Sequence, residues 1–249
     1  MRRYFIQLSF RGTHFHGWQV QNNAKTVQDE LQQVLSTILR KRIEITGAGR
    51  TDTGVHAKEM FAHFDNEEEL TDLQHFTFKL NSILPADIAV QKVFEVPIDY
   101  HARFTASARS YEYHLHQQKD PFKQDTSYYF NRNLSVNAMN QAAQILLEYT
   151  DFSAFSKSNT QTFTNDCTIY NAVWEITDDG LVFHISANRF LRNMVRAIVG
   201  TLLEIGIGKY EVADMHTIIQ SKNRSKAGTS VPACGLYLTR VEYPFPSIN

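Results

Sequence analysis

"ARSYEYHLHQ", residues 108–117, sets Tyr111 and Tyr113 two positions apart on one side of an alternating pattern, so the stretch reads as a β-strand. The elements after this strand identify the architecture. "SVNAMNQAAQILLEY" (135–149) carries helical spacing, "TIYNAVWEI" (168–176) and "LVFHISA" (181–187) are strands around the turn "TDDG" (177–180), and "FLRNMVRAIVGTLLEIG" (190–206) is a helix. After a further helix near "EVADMHTIIQ" (211–220), the strand "GLYLTRVEY" (235–243) closes the set. The order is β-α-β-β-α-β with one extra helix, the split-βαβ arrangement.

The same order precedes it. "YFIQLSF" (4–10) places Tyr4, Ile6, Leu8 and Phe10 on one strand face. "TVQDELQQVLSTIL" (26–39) is a helix with Thr26 as its cap and Val27, Leu31, Val34, Leu35 and Ile38 as its apolar stripe. "RIEITG" (42–47) and "VHAKEMFAHFD" (55–65) are strands, a helix runs over Leu73 to Ile83 ahead of Pro85, and "IAVQKVFEV" (88–96) is a strand. The chain is therefore expected to be α+β, two ferredoxin-like halves spanning 1–105 and 106–249. Their sheets would join into one continuous, mixed, mainly antiparallel sheet, with helices on one side and an open central cleft on the other.

Composition narrows the class. At 249 residues, 43% hydrophobic and 20% charged, the chain can bury a core without staples. Cys167 and Cys234 stand far apart in no metal or disulfide pattern, as reduced thiols do. The amino terminus reads as a strand and not as a signal peptide, and "MVRAIVGTLLEIGIG" (194–208) is too short to span a bilayer and holds Arg196 and Glu204. A soluble, cytoplasmic protein is expected. The net charge of −1 excludes a uniformly basic coat, but "LRKR" (39–42), "NRFLRNMVR" (188–196) and "SKNRSK" (221–226) are local basic clusters.

Candidate chemistry centres on "GAGRTDTGVHA" (47–57). It lacks the Lys-Ser/Thr of a P-loop, and the third glycine of G-x-G-x-x-G falls on Asp52. A protease dyad needs a second carboxylate sharing a proton, and no second DTG or DSG exists. What remains is one aspartate between Arg50 and small residues, open to two readings, an Asx-turn and a site where backbone approaches a ligand. Arg189, Arg192 and Arg196 fall at i, i+3 and i+7 of the expected helix, on one face. Arg196, in its apolar part, needs an anion, and Asp52 is a candidate that such pairing would keep ionised. Arg189 and Arg192 suit phosphates. Arg109 joins Tyr111 on a strand face, where a ring can be core or can stack on an unpaired base. Neither His14-x-His16 nor His114-x-His116 has the further ligands of a metal site.

Taken together, "GTHFHGWQVQ", "GAGRTDTGVHA", "LNSILPADIAV", "YHARFTASARSYEYHL", "FLRNMVRAIVG" and "GLYLTRVEY", in that order, resemble the tRNA pseudouridine synthase A family over nearly the whole chain. The resemblance implies isomerisation of uridine to pseudouridine at positions 38 to 40 of the tRNA anticodon arm, with no cofactor, no metal and a homodimeric enzyme. It further implies Asp52 as the catalytic aspartate of the G-R-T-D motif, Tyr111 as the residue touching the target base, and Arg196 as the partner of the aspartate. Arg50 would hold the loop or a phosphate. Attack at C1′, attack at C6 and abstraction of a ribose proton all stay open for Asp52. Thr53, "EYTDF" (148–152) and Phe10-Arg11 depart from the family's usual residues without touching the proposed catalytic aspartate.

Overall fold

The alternation in "YFIQLSF" produces β1 (Arg2–Phe10), which buries Tyr4, Ile6, Leu8 and Phe10. It pairs antiparallel with β4 (Ile88–Val96) on one edge and with β3 (His56–Asn66) on the other. The computed structural model describes residues 1–157 and 164–244. Its chain forms two compact units, one of Met1–Ser107 with the segment from Tyr237 onward, the other Ala108–Leu236.

In the first unit, α1 (Val27–Leu39) starts where Thr26 Oγ1 accepts the Asp29 N–H at 3.3 Å. It ends at Arg40, which takes φ +53° and returns its N–H to Ser36. The stripe Val27, Leu31, Val34 and Leu35 is buried, each side chain contributing roughly 1.5–3 kcal/mol. Asp72 caps α2 (Leu73–Ile83) through His75 N, and Phe76 stacks on Phe64 of β3 at 6.3 Å between centroids. The "RIEITG" strand shrinks to β2 (Thr46–Gly47), paired with β3 at His63 and Ala62. Its remaining backbone is claimed by α1 side chains: Ser36 Oγ takes Ile43 N, and Gln28 and Gln32 bracket Ile45.

β9 (Leu236–Glu242) lies parallel to β3, with His56 opposite Tyr237 and Ala57 opposite Leu238. The expected division at residue 105 thus differs from the structure: the break follows Ser107, and nearly all of β9 belongs with the first unit. Packing gives the reason. Tyr243, just past β9, fits edge-on against Phe5 and Phe61 and donates its hydroxyl to Ala102 O at 2.7 Å.

In the second unit, β5 (Ala108–His116) pairs antiparallel with β8 (Gly180–Ala187), and β8 with β7 (Ile169–Thr177). The order β5-β8-β7 repeats β1-β3-β2 of the first unit. β6 (Tyr128–Tyr129) adds a short parallel edge to β5. Tyr113, Phe183 and Trp174 align across the three strands on the buried face. α3 (Val136–Ile145) packs against β7, its Asn140 side chain bridging the Trp174 N–H and C=O. The opposite face is polar, with Glu112 3.0 Å from His114 and His184 3.1 Å from Glu175. The fold is α+β, mixed and mainly antiparallel: only β3–β9 and β5–β6 run parallel among the described pairs.

A further expectation fails in the second unit. The helix α4 (Met194–Gly206) begins four residues later than "FLRNMVRAIVGTLLEIG" suggested, because Asn193 takes φ +66°. Arg189 and Arg192 therefore lie in the preceding irregular segment, and the three-arginine helix face does not form. The last helix, α5 (Asp214–Gln220), is buried along Met215, Ile218 and Ile219.

Candidate active site

Asp52 belongs to the first unit, on the loop leading into β3, where it is half-buried. Its backbone is closely held. Asp52 O accepts Val55 N at 3.1 Å, closing a turn whose Gly54 has φ +79°. A second loop, residues 11–18, is stitched alongside: Trp18 N donates to Thr51 O at 3.2 Å, Gly54 N to Phe15 O at 3.3 Å, and Gly12 N to His56 Nδ1 at 3.0 Å. The loops meet without space for side chains. A Cβ on Gly12 would stand 2.0 Å from Val55 O, and one on Gly17, which has φ +86°, 2.4 Å from Thr51 O. The small residues beside Asp52 thus answer to a backbone-to-backbone contact, and the carboxylate is carried on a double loop anchored by β3 and α1. Arg50, two residues earlier, is exposed on the same loop and makes no hydrogen bond or ion pair among the described residues.

The other expected site residues fall in the second unit. Tyr111 is half-buried, its ring meeting Phe190 edge-on at 5.1 Å. Arg109 donates Nη1 to Asn188 O at 2.9 Å. Both thus reach from β5 to the irregular segment that carries Arg189, half-buried, and Arg192, exposed. Tyr113 shares their strand face but is fully buried, its hydroxyl donating to Pro232 O at 2.9 Å. Burial raises the Tyr113 pKa far above the ordinary phenol value, so it acts as a hydrogen-bond donor and not as a base.

Arg196 stays on α4 within an otherwise apolar run. Its Nε donates to Val231 O at 2.7 Å, and Val231 N returns a bond to Arg196 O at 3.2 Å. The plane of the guanidinium is therefore fixed by loop backbone. The basic clusters are partly structural: Lys222 pairs with Asp151 at 2.8 Å, and Arg224 turns into the loop after it. The Lys222 ammonium, with the Ser153 hydroxyl, holds the Asp151 carboxyl down at about 2. His114 and His116 serve separate partners, Glu112 and Ser127.

Sequence reasoning missed three features of this region: the Gly12 and Gly17 contacts, Asn193, and the 227–231 loop that receives Arg196. A signal existed for the first in "RGTHFHGW", where two glycines five residues apart bracket a short, mostly polar loop.

The sequence pattern of the tRNA pseudouridine synthase family matches residues 7–105 and 142–244. The chain belongs to that family. The synthase is 51% identical over 245 residues to tRNA pseudouridine synthase A of Bacteroides fragilis, covering 98% of this chain and 97% of the relative. It is 49% identical over 244 residues to the protein of that name from Parabacteroides distasonis, covering 98% and 97%. Against the one from Acetivibrio thermocellus the identity is 38% over 245 residues, covering 98% and 100%. As a family member it is an enzyme that isomerises uridine to pseudouridine in tRNA. No helix among the described residues is long and apolar enough to cross a membrane.

Proposed function

We propose that this synthase acts on uridines at positions 38 to 40 in the anticodon arm, as a cytoplasmic homodimer, with Asp52 as its catalytic carboxylate. The observation that carries the reading is the Asp52 loop, where glycine backbone at 12 and 17 is pressed against residues 51–55 and fixes the backbone that carries one carboxylate. Catalysis by a single group depends on such preorganisation.

The reaction suits a sparse site. The C1′–N1 bond breaks, the base turns while enclosed, and C5 bonds to C1′; the proton lost from C5 is balanced by the one gained at N1. No electrons leave the substrate, so the net change needs no redox partner. Asp52 supplies the carboxylate, and Arg196 is the cation proposed to meet it during turnover. Tyr111 contacts the target base, its ring steadied from the side by Phe190. Arg50, Arg109, Arg189 and Arg192 are assigned to substrate, with phosphate contacts offsetting the few kcal/mol that extruding a base costs.

Mapping pseudouridine at single-nucleotide resolution on unmodified tRNA transcripts tests the assignment of positions. Modification confined to uridines outside the anticodon arm would overturn it. Light scattering on the purified protein tests the dimer, which a monomer mass would refute.

A further inference from the structure

Arg224 is half-buried with no carboxylate beside it among the described residues. Its Nη1 donates to Gly228 O at 3.0 Å and Ala227 O at 3.4 Å, and its Nη2 to Ser230 Oγ at 2.8 Å. Ser230 Oγ also accepts from Asn193 Nδ2 at 2.6 Å. Asn193 stands at the N-cap of α4, yet its side chain makes no capping bond. A side chain of that type at that place ordinarily serves the helix's first N–H groups. Here it serves the loop.

Residues 227–231 lie on α4 without clearance. Gly228 N donates to Thr201 Oγ1 at 2.8 Å, and a Cβ on Gly200 would stand 1.8 Å from Thr229 O. The loop ends in Val231, whose carbonyl takes Arg196 Nε, and Pro232, whose carbonyl takes the Tyr113 hydroxyl. One fork of donors, with Asn193, thus fixes the loop that sets the plane of Arg196. A charge alone would not do this, because three acceptors must be met at fixed angles.

We propose that Arg224 is a positioning residue for Arg196, holding the 227–231 loop so that Val231 fixes the direction of the Arg196 guanidinium in catalysis. The inference rests on the reading of Arg196 as the partner of Asp52. Asn193 and Ser230 belong to the same device.

The test uses full-length Arg224→Lys, Ser230→Ala and Arg196→Lys, and the double variant Arg224→Lys/Arg196→Lys. For each, the single-turnover rate of pseudouridine formation on an unmodified tRNA transcript, the Kd for that transcript and the thermal midpoint are measured. Arg224→Lys should slow the single-turnover rate by about 10–100-fold, a misplacement effect, in a protein folded at the assay temperature. Its Kd should stay within about 2-fold of the parent, and the double variant should be no slower than Arg196→Lys alone, because coupled residues are not additive. If Arg224→Lys did not fold, Ser230→Ala, which removes the shared acceptor, carries the same expectation.

Wild-type rates in both single loop variants would overturn the inference. So would multiplied losses in the double variant, or a loss of tRNA affinity matching the loss of rate, which would make Arg224 an RNA contact. A fully active Arg196→Lys would instead remove the reading of Arg196 itself, and the inference with it.

Discussion

Arg196 gives its Nε to Val231 O, and its planar fork is proposed to meet Asp52 in turnover. A lysine would keep the charge and lose both the backbone bond and the planar fork. Arg196→Lys is therefore expected to cut turnover by about 10-fold or more, at the scale of a lost charge-assisted bond. Steady-state kinetics check this; an unchanged kcat would refute the pairing. His63 makes a different prediction, about pH. Burial pushes its imidazole down to about 4, aided by the Arg3 charge, while Nδ1 accepts Ala102 N at 3.1 Å. A folded pKa below the unfolded value of 6.5 means no penalty above pH 6.5 and loss of stability as pH falls from there towards 4. At about pH 5 the loss from this group is about 2 kcal/mol. The urea midpoint should fall between about pH 7.5 and 5, and the fall should shrink in His63→Gln; equal falls in both proteins would contradict it. Asp52 was legible in sequence only as a lone acid among small residues, since an Asx-turn has the same composition. Arg196 was legible because a guanidinium in an apolar helix needs an explanation wherever it lies.

Among the elements, the two loops around Asp52 act as one because Gly12 and Gly17 let backbone touch backbone. Gly12→Ala should cost about 1–3 kcal/mol by overpacking. It should also reduce the rate more than the thermal midpoint implies, because the forced shift lands on residues 54 and 55 beside the carboxylate. Measuring both on one preparation checks this, and a variant with parental rate would contradict it. Thr26→Ala, which removes the cap of α1, should cost about 1 kcal/mol, read from urea unfolding. Helix α1, helix α2 and strands β1 and β5 were readable because their apolar period runs on, whereas β4 was readable from its apolar run alone, its period shifting at Gln91. The start of α4 was not, since "FLRN" continues the helical period and only the left-handed Asn193 stops it. β2 was overread for a related reason: Ile43 and Ile45 alternate as a strand would, but side chains of α1 satisfy their backbone.

The whole molecule repeats one β-α-β-β-α-β order, and that repeat was legible from element order alone. The membership of β9 was not. Its sequence completes the second repeat, while its contacts with β3 and the burial of Tyr243 against Phe5 and Phe61 place it in the first unit. With a net charge of −1, tRNA affinity must come from local cations and not from an overall field. Asp52 is proposed to perform the isomerisation. Pseudouridine mapping of an unmodified tRNA transcript incubated with the parent and with Asp52→Asn tests it most directly, with Kd measured alongside. Pseudouridine is expected in the anticodon arm with the parent and none with Asp52→Asn, at near-equal affinity for both. Turnover by Asp52→Asn close to that of the parent would contradict it.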